Sequence, residues 1–589
     1  MTILAGILSV NPDYPVTEQM REILLGRLSR HPGDVPESLI TPHCVIAKID
    51  IGAYGNSGLH RAENGSISML SGEPLLAHRG DAPAGTRTSD LHAIHHACER
   101  SDWNVLARAT GAYTAIYYAP QSKQLTLIAD KLCIRPLYYF AGNQYFVFAS
   151  ALRILEGLSW VPRVMDLRAV TERITLGVPL ASRTPYQAIQ LMEAGQIIQV
   201  APQRLHASYY WKWDEVPPTR LEEKSLLKEA AARFTRAVRR RSREDRSTTS
   251  FLSGGLDSRC IVAVLRDLGI DVATYNLAPP NTLDQALGAQ FARHVGTRHH
   301  ECPMDPDQEA KFSTTLANAL RQPHQPTQPQ PARPQLVWSG DGGSVSVGHV
   351  YMAPEVVARL RTGQLDEAVQ MYLAKENAII LRRLMHPRVF AELEPVPREG
   401  VLQELKQLHA PDAARNFYLY LMLNDQRRHL AEHFEYIDLH RLEFHLPFYD
   451  SDFIELMVSS PIDLCLQHRF YNRWLSYLPA TVAELPWQAY PGHEPCPLPV
   501  PSNLTYQWGK DTYFSAHHKR QKATLIRETL LLLSSDDFPH ALLRKTNLRL
   551  ATLAYRLGLR DYGYVLKIAK QYYTSLRQCA GKYTLPPLR

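Results

Sequence analysis

The feature that most constrains this chain is a glycine loop, Ser253-Gly254-Gly255-Leu256-Asp257-Ser258, set between a predicted strand and a predicted helix. Two adjacent glycines let backbone amides approach an anion without a Cβ clash. The amino terminus of the following helix turns its amides and positive dipole end toward the same anion. Ser253 and Ser258 add hydroxyl donors, and Asp257 can hold Mg²⁺. The loop therefore predicts a site for the pyrophosphate that leaves when the α-phosphate of ATP is attacked and AMP is transferred.

The surroundings of this loop predict a parallel α/β sheet. Helical apolar spacing covers residues 221–244, and a strand leads into the glycine loop and its helix. A second strand at 272–278 and a second helix at 283–296 follow, and 336–343 reads as a strand running into another glycine loop. Alternating strands and helices form parallel sheets. The alternative, a purely structural Ser-Gly-Gly turn, does not account for this setting.

The first third of the chain has a different texture. Short β-branched or aromatic runs at 114–119, 125–130 and 145–150 are separated by turn residues, which predicts a β-rich domain. A chain of 589 residues is too long for a single core. We therefore predict four parts, namely an N-terminal domain at 1–205, a linker at 206–220, an α/β domain at 221–500 and a helical C-terminal extension at 501–589.

Composition excludes several classes of protein. No two of the 8 cysteines have CxxC spacing, so neither a disulfide framework nor a zinc ribbon is predicted. The start, MTILAGILSV, lacks the basic region of a signal peptide, and no run approaches the roughly 20 apolar residues of a membrane span. A net charge of +7 is a mild bias that fits solvated surface, with a basic cleft as the alternative. We expect a cytoplasmic protein that binds no nucleic acid.

Several segments, in order along the chain, resemble the asparagine synthetase superfamily. They are ADKLCIRPLYYF (129–140), ALGAQFARHVGTRHHE (286–301), WSGDGG (338–343) and LEFHLPFYDSDFIELMVSSP (442–461). The resemblance implies an α/β chain, with an α+β N-terminal Ntn-type sandwich (a degenerate glutaminase) before an ATP-pyrophosphatase synthetase domain with a parallel sheet. It implies that ATP and pyrophosphate are bound by Leu252, Ser253, Gly254, Gly255, Leu256, Asp257, Ser258, Asn276, Ser339 and Gly340.

The N-terminal domain departs from glutamine-using members of the superfamily. Their nucleophile is a cysteine at position 2, where this chain has Thr2, and a thiol ionises more readily than a hydroxyl. Their NGEIYN motif survives only as Ser71-Gly72-Glu73-Pro74, and a HRGD run at 78–81 follows it in the wrong order. An N-terminal threonine can act as a nucleophile, but the combined losses predict that glutaminase activity is absent and that the domain is a scaffold. The amine must then be free ammonia or part of the substrate.

An amine within the substrate is typical of the cyclising branch of the superfamily. Segments 338–351, 426–430 and 486–493 resemble lasso peptide macrolactam synthetases. This resemblance implies an enzyme that adenylates an Asp or Glu side chain of a precursor peptide and closes an isopeptide ring with the peptide's α-amine, with a leader peptidase as partner protein. The alternatives are an ammonia-dependent asparagine synthetase, a β-lactam synthetase-like enzyme, and a non-catalytic ATP-binding scaffold.

The same resemblance implies roles for two acids. Glu443 occupies the place of the catalytic glutamate of β-lactam synthetases and is predicted to be the base, with a structural ion pair as the alternative. Asp341 takes the place of that glutamate's tyrosine partner and is predicted to orient it or to hold Mg²⁺ with Asp257, with capping of the glycine loop as the alternative. Two departures concern charge: Ser344 replaces a magnesium-binding aspartate, and Gln488 replaces a catalytic lysine. Candidate replacement cations are Lys510, Lys519, Arg520 and Lys522.

Overall fold

A computed structural model describes residues 2–76, 85–302, 312–320, 331, 333–506, 515–579 and 581–584, without the side chains of 2, 312–314, 515–519 and 584. The HRGD run at 78–81, Lys510 and the side chains of Thr2 and Lys519 therefore lie outside the description. The chain divides into two compact units. The first contains Met1–Gly157, Met192–Met352 and Gln426–Gly509, and the second contains Leu158–Leu191, Ala353–Asp425 and Lys510–Arg589.

The described strands are numbered in chain order. They are β1 Thr2–Ser9, β2 Glu37–Ile40, β3 Cys44–Asp50, β4 Leu59–Arg61, β5 Ile67–Gly72, β6 Tyr113–Ala119, β7 Gln124–Ala129, β8 Tyr138–Ala141, β9 Tyr145–Ala149, β10 Met165–Asp166, β11 Ile189–Leu191, β12 Gln196–Ala201, β13 Arg204–Tyr209, β14 Ser247–Phe251, β15 Asp271–Asn276, β16 Arg298–Glu301, β17 Leu336–Trp338, β18 Glu443–His445 and β19 Tyr583–Thr584.

The described α-helices are numbered in the same way. They are α1 Glu18–Leu28, α2 Arg87–Arg100, α3 Leu152–Glu156, α4 Leu167–Leu176, α5 Glu223–Ser242, α6 Asp257–Asp267, α7 Leu283–Val295, α8 Phe312–Leu320, α9 Gly343–Ser346, α10 Pro354–Arg361, α11 Leu365–Lys375, α12 Pro387–Leu393, α13 Val396–Lys406, α14 Ala413–Tyr420, α15 Arg427–His429, α16 Ala431–Glu435, α17 Ile437–His440, α18 Ser451–Ser459, α19 Ile462–Cys465, α20 Arg469–Trp474, α21 Ser515–Ser534, α22 Lys545–Arg556 and α23 Gly563–Gln578.

The β-rich part of the first unit contains two antiparallel sheets. Strands β8, β9, β1, β3 and β2 form one in that order, and β13, β12, β7, β6, β5 and β4 form the other. Because successive side chains alternate between the faces of a strand, each sheet contributes one apolar face to a shared core. Its members include Leu4, Phe148, Met69, Ile116, Leu127 and Ile198. The predicted sandwich is confirmed.

The first unit also contains a parallel sheet with the strand order β16-β15-β14-β17-β18. The apolar face of α5 and residues 260–265 of α6 pack into its core, together with Phe453 and Trp474. The strand order reverses direction between β14 and β17, with β15 and β16 on one side and β18 on the other. In open α/β sheets, ligands bind beyond the carboxyl ends of the strands at such a switch point. The predicted α/β domain is confirmed, and its binding edge is defined.

The second unit is mainly helical. Its helices include α10 to α14 and the C-terminal α21, α22 and α23, and β10 pairs in parallel with β19. Segments 158–191 and 353–425 group with the C-terminal helices, whereas our predicted division follows sequence order and stays a prediction. No helix among the described residues is both long and apolar enough to cross a bilayer. The cytoplasmic location also stays a prediction.

Candidate active site

The predicted glycine loop lies in a cleft beyond the carboxyl end of β14. The cleft has a volume of about 600 Å³. From the loop it is lined by Ser253, Gly255, Leu256 and Asp257, and further lining residues come from α9, α20 and the segment 487–494. Helix α6 begins at Asp257, so its first-turn amides lie at the cleft. A helix amino terminus is a favourable place for phosphate oxygens, which fits the predicted pyrophosphate site.

Close packing shows why the loop needs glycine at 254. A Cβ at this position would lie 2.7 Å from the Cα of Asp284 and 2.9 Å from the carbonyl oxygen of Leu283. The amide of Gly254 donates to Oδ1 of Asp284 at 2.9 Å, and the amide of Ser253 donates to Oγ of Ser258 at 2.9 Å. These bonds fix the loop in one conformation without a ligand.

A second glycine loop, which follows β17, packs directly against the first. A Cβ on Gly340 would lie 2.8 Å from the amide nitrogen of Ser258, and one on Gly343 would lie 2.5 Å from Cγ of Asp257. The backbone and Oγ of Ser344 both donate to the Asp257 carboxylate at 3.0 Å. The structure therefore brings the two predicted loops together, and Ser344 contacts the predicted metal ligand.

Burial dominates the electrostatics of Asp257. It raises the pKa of the carboxyl to about 6, although hydrogen bonds from Tyr471 and Ser344 oppose the rise; the negative charge of Asp341 adds to it. The Tyr471 hydroxyl donates to Oδ1 at 2.6 Å. A cation beside Asp257 would reverse this effect, because an opposite charge favours the ionised carboxylate.

Asp341 lies in the second glycine loop. Its carboxylate accepts a hydrogen bond from Oγ of Ser339, and its Oδ1 lies 3.4 Å from Nε2 of His429. Its side chain is 27% exposed. Within the described parts of the chain, no group of three or more His, Cys, Asp or Glu residues could hold a metal ion. A metal here would therefore have at most two protein carboxylates, Asp257 and Asp341.

Glu443 lies away from the glycine loops, at the amino end of β18. It pairs with Leu336, the residue before Val337, which in turn pairs with Thr249 of β14. At about 3.3 Å per residue, this register separates the Glu443 backbone from Ser253 by roughly 16 Å along the strands. The Glu443 side chain is buried, and it accepts a 2.5 Å hydrogen bond from Nη2 of Arg135 in the N-terminal sandwich. Its role as a base stays a prediction, and the ion pair that we gave as the alternative is present.

Comparison with known families assigns both parts of the first unit. Residues 229–475 match the asparagine synthase family, and residues 77–211 match a glutamine amidotransferase domain. The first match contains the parallel sheet and both glycine loops, and the two matches together support the asparagine synthetase superfamily. The amidotransferase match begins after the segment that contains Thr2, so it does not cover the position of the superfamily's nucleophile.

Relatives share this assignment over parts of their length. The chain is 29% identical over 142 residues to "Putative asparagine synthetase (glutamine-hydrolyzing) 2" of Methanocaldococcus jannaschii, covering 23% of this chain and 27% of the relative. It is 20% identical over 386 residues to a Gallus gallus asparagine synthetase (62% and 59%) and 22% identical over 238 residues to "Amidase chyE" of Penicillium rubens (38% and 34%). The alignments thus cover between 27% and 59% of these relatives.

The other predicted ATP-binding residues lie at the same sheet edge. Nδ2 of Asn276 donates to the carbonyl of Leu252 at 2.9 Å and to Oδ2 of Asp284 at 3.1 Å. The amide of Ser339 donates to the carbonyl of His445 at 3.1 Å. Leu252, Asn276 and Ser339 follow or end β14, β15 and β17, so the sheet places them side by side. Nucleotide contact by these residues stays a prediction.

Gln488 lies where the resemblance places a catalytic lysine, and it lines the cleft. The backbone amide of Gln488 donates to the carbonyl of Gly254 at 2.9 Å. The buried Arg259 holds this segment, because its guanidinium donates to the carbonyls of Leu485 and Pro486 at 2.7 Å each. Among the lining residues within the described ranges, there is no lysine or arginine. Positive charge for a polyphosphate must therefore come from outside this set.

Two residues that hold the first loop were missed by sequence reasoning. Asp284 lies in the first turn of α7, where an acid is usually explained by the helix dipole. That signal did not indicate its bond to Gly254. Tyr471 is 214 residues from Asp257 in sequence, and no local pattern indicates their contact.

Proposed function

We propose that this protein is an ATP-dependent amide ligase that forms an acyl-adenylate and releases AMP and pyrophosphate. The observation that carries the proposal is the meeting of two glycine loops, through Asp257 and Ser344, at the switch point of a parallel sheet. The asparagine synthase match across 229–475 contains both loops. Relatives named asparagine synthetase support the same reaction class.

The arrangement of the cleft fits adenylation. The first-turn amides of α6 and the hydroxyls of Ser253 and Ser258 are donors for pyrophosphate oxygens. A substrate carboxylate oxygen attacks the α-phosphorus, and the bond to pyrophosphate breaks. An amine then attacks the acyl carbon, the bond to AMP breaks, and the amine loses a proton. The loop geometry contributes by positioning the donors before ATP arrives, which reduces the reorganisation needed during the reaction.

The residues present fit a magnesium ion. Mg²⁺ commonly takes one or two protein carboxylates and completes its coordination with phosphate oxygens and water. Asp257 and Asp341 would hold it, and it would supply the positive charge that the described lining lacks. Burial raises the pKa of Asp257, and a cation bound beside this carboxyl would lower that pKa again, because an opposite charge favours the ionised form.

For the substrate, we propose a precursor peptide that is closed into a macrolactam, as in lasso peptides. Support comes from Thr2 in place of the nucleophilic cysteine, because an enzyme without its own ammonia source must take the amine from elsewhere. An α-amine titrates near 7.7–8.0, so a modest base suffices to activate it. We further propose that a leader peptidase delivers the core peptide.

A second candidate is asparagine synthesis with free ammonia. It is favoured by relatives that are named asparagine synthetase. A β-lactam synthetase-like reaction is a further alternative beside it. The non-catalytic scaffold rests on Ser344 and Gln488, where charged residues of the superfamily are replaced.

The test is pyrophosphate release by the purified chain with Mg-ATP. One arm contains free aspartate and ammonia, and the other contains a candidate core peptide with its partner protease, followed by peptide mass. Peptide-dependent release with loss of one water supports the macrolactam synthetase. Release with aspartate and ammonia alone returns the protein to asparagine synthesis, and ATP binding without release in either arm supports the scaffold.

A further inference from the structure

The cleft contains a carboxylate that the proposed ATP site does not use. Asp257 contacts the second glycine loop, and Asp284 binds Gly254 and Asn276. Glu494 also lines the cleft, and it is half-buried. An anionic side chain repels a polyphosphate in a shared cleft. Its presence is explained if the cleft also receives a cation.

Glu494 is fixed in position by its neighbours. Its amide donates to the carbonyl of Gln467 at 3.1 Å, and its Oε2 accepts from Nδ2 of Asn472 at 3.4 Å. The nearby guanidinium of Arg473 interacts with it electrostatically, but that side chain is 54% exposed and forms its ion pair with Glu223. An exposed pair in water leaves most of the Glu494 charge available to a ligand.

Aromatic side chains line the same cleft as Glu494. The ring of His468 stacks on that of Tyr490, with centroids 5.4 Å apart and 14° between the planes, and on that of Tyr471 at 5.7 Å. His493, the residue before Glu494, contacts His468 edge-on at 4.7 Å. Burial lowers the pKa of His468 to about 3, so its ring is neutral at pH 7. The ring face of Tyr490 that is turned away from His468 can receive an ammonium group, because a tyrosine face attracts cations.

The backbone that carries the His468 ring is strained. Gln467 and His468 both adopt left-handed conformations, with φ of 56° and 63°, although neither is glycine. The amide of His468 donates to the carbonyl of Gly348 at 3.3 Å, and a Cβ on Gly348 would overlap the His468 ring. Such conformations persist where surrounding contacts fix them, and they cluster at ligand-binding sites. The strain here fixes the His468 ring against Tyr490.

We infer that Glu494 and Tyr490, with His468 packed behind the tyrosine ring, form a subsite for an ammonium group, the protonated α-amine of the substrate. The amine must give up one proton to water before its lone pair attacks the acyl carbon of the acyl-adenylate and AMP leaves. The inference rests on the proposed function and adds where the amine substrate binds. Mg²⁺ is the competing occupant, because it binds oxygen ligands and the side chains of Asn472 and Gln488 line the same cleft. A cationic amine fits both the carboxylate and the rings.

The test uses glycinamide hydrochloride, a small cationic α-amine, titrated into the full chain with Mg-ATP and followed by ligand-observed NMR. N-acetylglycinamide is the neutral match. We expect glycinamide to bind at least fivefold more tightly than its acetylated form. Glu494→Gln should weaken glycinamide about tenfold, since charge-assisted bonds are roughly twice as strong as neutral ones. Equal binding of the two ligands, or equal glycinamide affinity in Glu494→Gln and wild type, would overturn the subsite.

Two further variants make the result specific. Glu484→Gln changes an exposed carboxylate that pairs with His294 at 2.6 Å and does not line the cleft, so glycinamide affinity should stay at the wild-type value. Tyr490→Phe should retain the affinity, whereas Tyr490→Leu should reduce it about threefold, because the ring face is lost. Displacement of glycinamide by MgCl₂ in the absence of ATP would reassign the site to a metal and overturn the inference.

This measurement is independent of the proposed chemistry. Glycinamide binding is read at equilibrium and requires no turnover. If the wild type releases no pyrophosphate with any substrate but binds glycinamide through Glu494, the proposed function fails while the subsite stands. If pyrophosphate release occurs and the KM for the amine is the same in Glu494→Gln and wild type, the subsite fails and the proposed function stands.

Discussion

The buried carboxylates at the two ends of the parallel sheet have different kinds of hydrogen-bond partner. At the carboxyl edge, Asp257 accepts hydrogen bonds from the Ser344 amide and hydroxyl and from the Tyr471 hydroxyl, and burial raises its pKa. At the amino end, Glu443 accepts a bond from the guanidinium of Arg135. Neutral donors leave a carboxylate able to bind a cation, whereas a guanidinium already neutralises it. The charge of the hydrogen-bond donors thus distinguishes Asp257, a candidate cation ligand, from Glu443, a structural contact.

The arginine-held acids recur where the sandwich meets the synthetase part of the first unit. Asp438 is buried and lies 2.7 Å from Arg30 and 3.1 Å from Arg153. Burial works to raise its pKa, but the bond from Arg30 and the charge of Arg153 hold that pKa below its usual value. Arg243 of the synthetase part likewise pairs with Glu73 of the sandwich. The predicted loss of glutaminase activity would leave these contacts as the reason to retain the sandwich.

The largest expected effect is a loss of stability at the amino end of the sheet, where Arg135 bonds Glu443. Arg135→Met leaves Glu443 buried without its guanidinium, and breaking a buried pair costs about 3–5 kcal/mol. Chemical denaturation followed by fluorescence should show the loss in the free energy of unfolding. The double variant Arg135→Met/Glu443→Leu should recover most of it, and an Arg135→Met protein as stable as wild type would contradict the structural role.

Glu443→Gln separates the predicted base from the ion pair. The geometry favours the ion pair, so we expect reduced stability with pyrophosphate release and amide formation falling together. A base would give the opposite pattern, in which ATP–pyrophosphate exchange persists, amide formation is lost and the unfolding curve is unchanged.

At the carboxyl edge we expect a loss of activity rather than stability. Asp257→Asn removes the carboxylate that would hold the metal, and pyrophosphate release should fall about a hundredfold, the scale of losing one preorganised electrostatic group. The melting temperature should stay equal or rise, because the buried charge costs stability. Asp341→Asn, on the more exposed neighbour, should have a smaller effect, and equal losses in both variants would argue against Asp257 as the main ligand.

The pH dependence should follow the Asp257 pKa of about 6. Below that pH the folded carboxyl is protonated, so the affinity for Mg-ATP should fall up to tenfold per pH unit and the slope should vanish in Asp257→Asn. The free energy of unfolding changes with pH in the opposite direction to the affinity for Mg-ATP. A carboxyl with a raised folded pKa stabilises the fold fully below its unfolded pKa near 3.9, and this contribution is lost as the pH rises through 6. Unfolding curves between pH 4 and 7 check the second part.

The smallest expected effect comes from Ser344→Asp. The new carboxylate would face Asp257, whose oxygens lie 3.0 Å from the present hydroxyl. Without Mg²⁺ the like charges should lower the melting temperature by a few degrees. With Mg²⁺ the variant should need severalfold less metal for half-maximal pyrophosphate release, and an unchanged requirement would show that position 344 does not approach the metal.

Local patterns were sufficient to predict the elements. The helical spacing of 221–244 predicted α5, which the structure has at Glu223–Ser242. The run at 272–278 predicted β15, which the structure has at Asp271–Asn276. The paired glycines predicted the loop before α6. These features depend on periodicity and on backbone freedom, which are properties of neighbours in the chain.

The surroundings of the acids could not be predicted in this way. The sequence alone determined the fold class, the resemblance to the superfamily and the two loops, because each has a local pattern. Only the tertiary structure decided that Asp257 faces hydroxyls from Ser344 and Tyr471, that Glu443 faces Arg135 some 308 residues away, and that Glu494 shares a cleft with Tyr490. The physical reason is that ionisation and ligand preference depend on which groups share a buried space, and strand order and register set that arrangement.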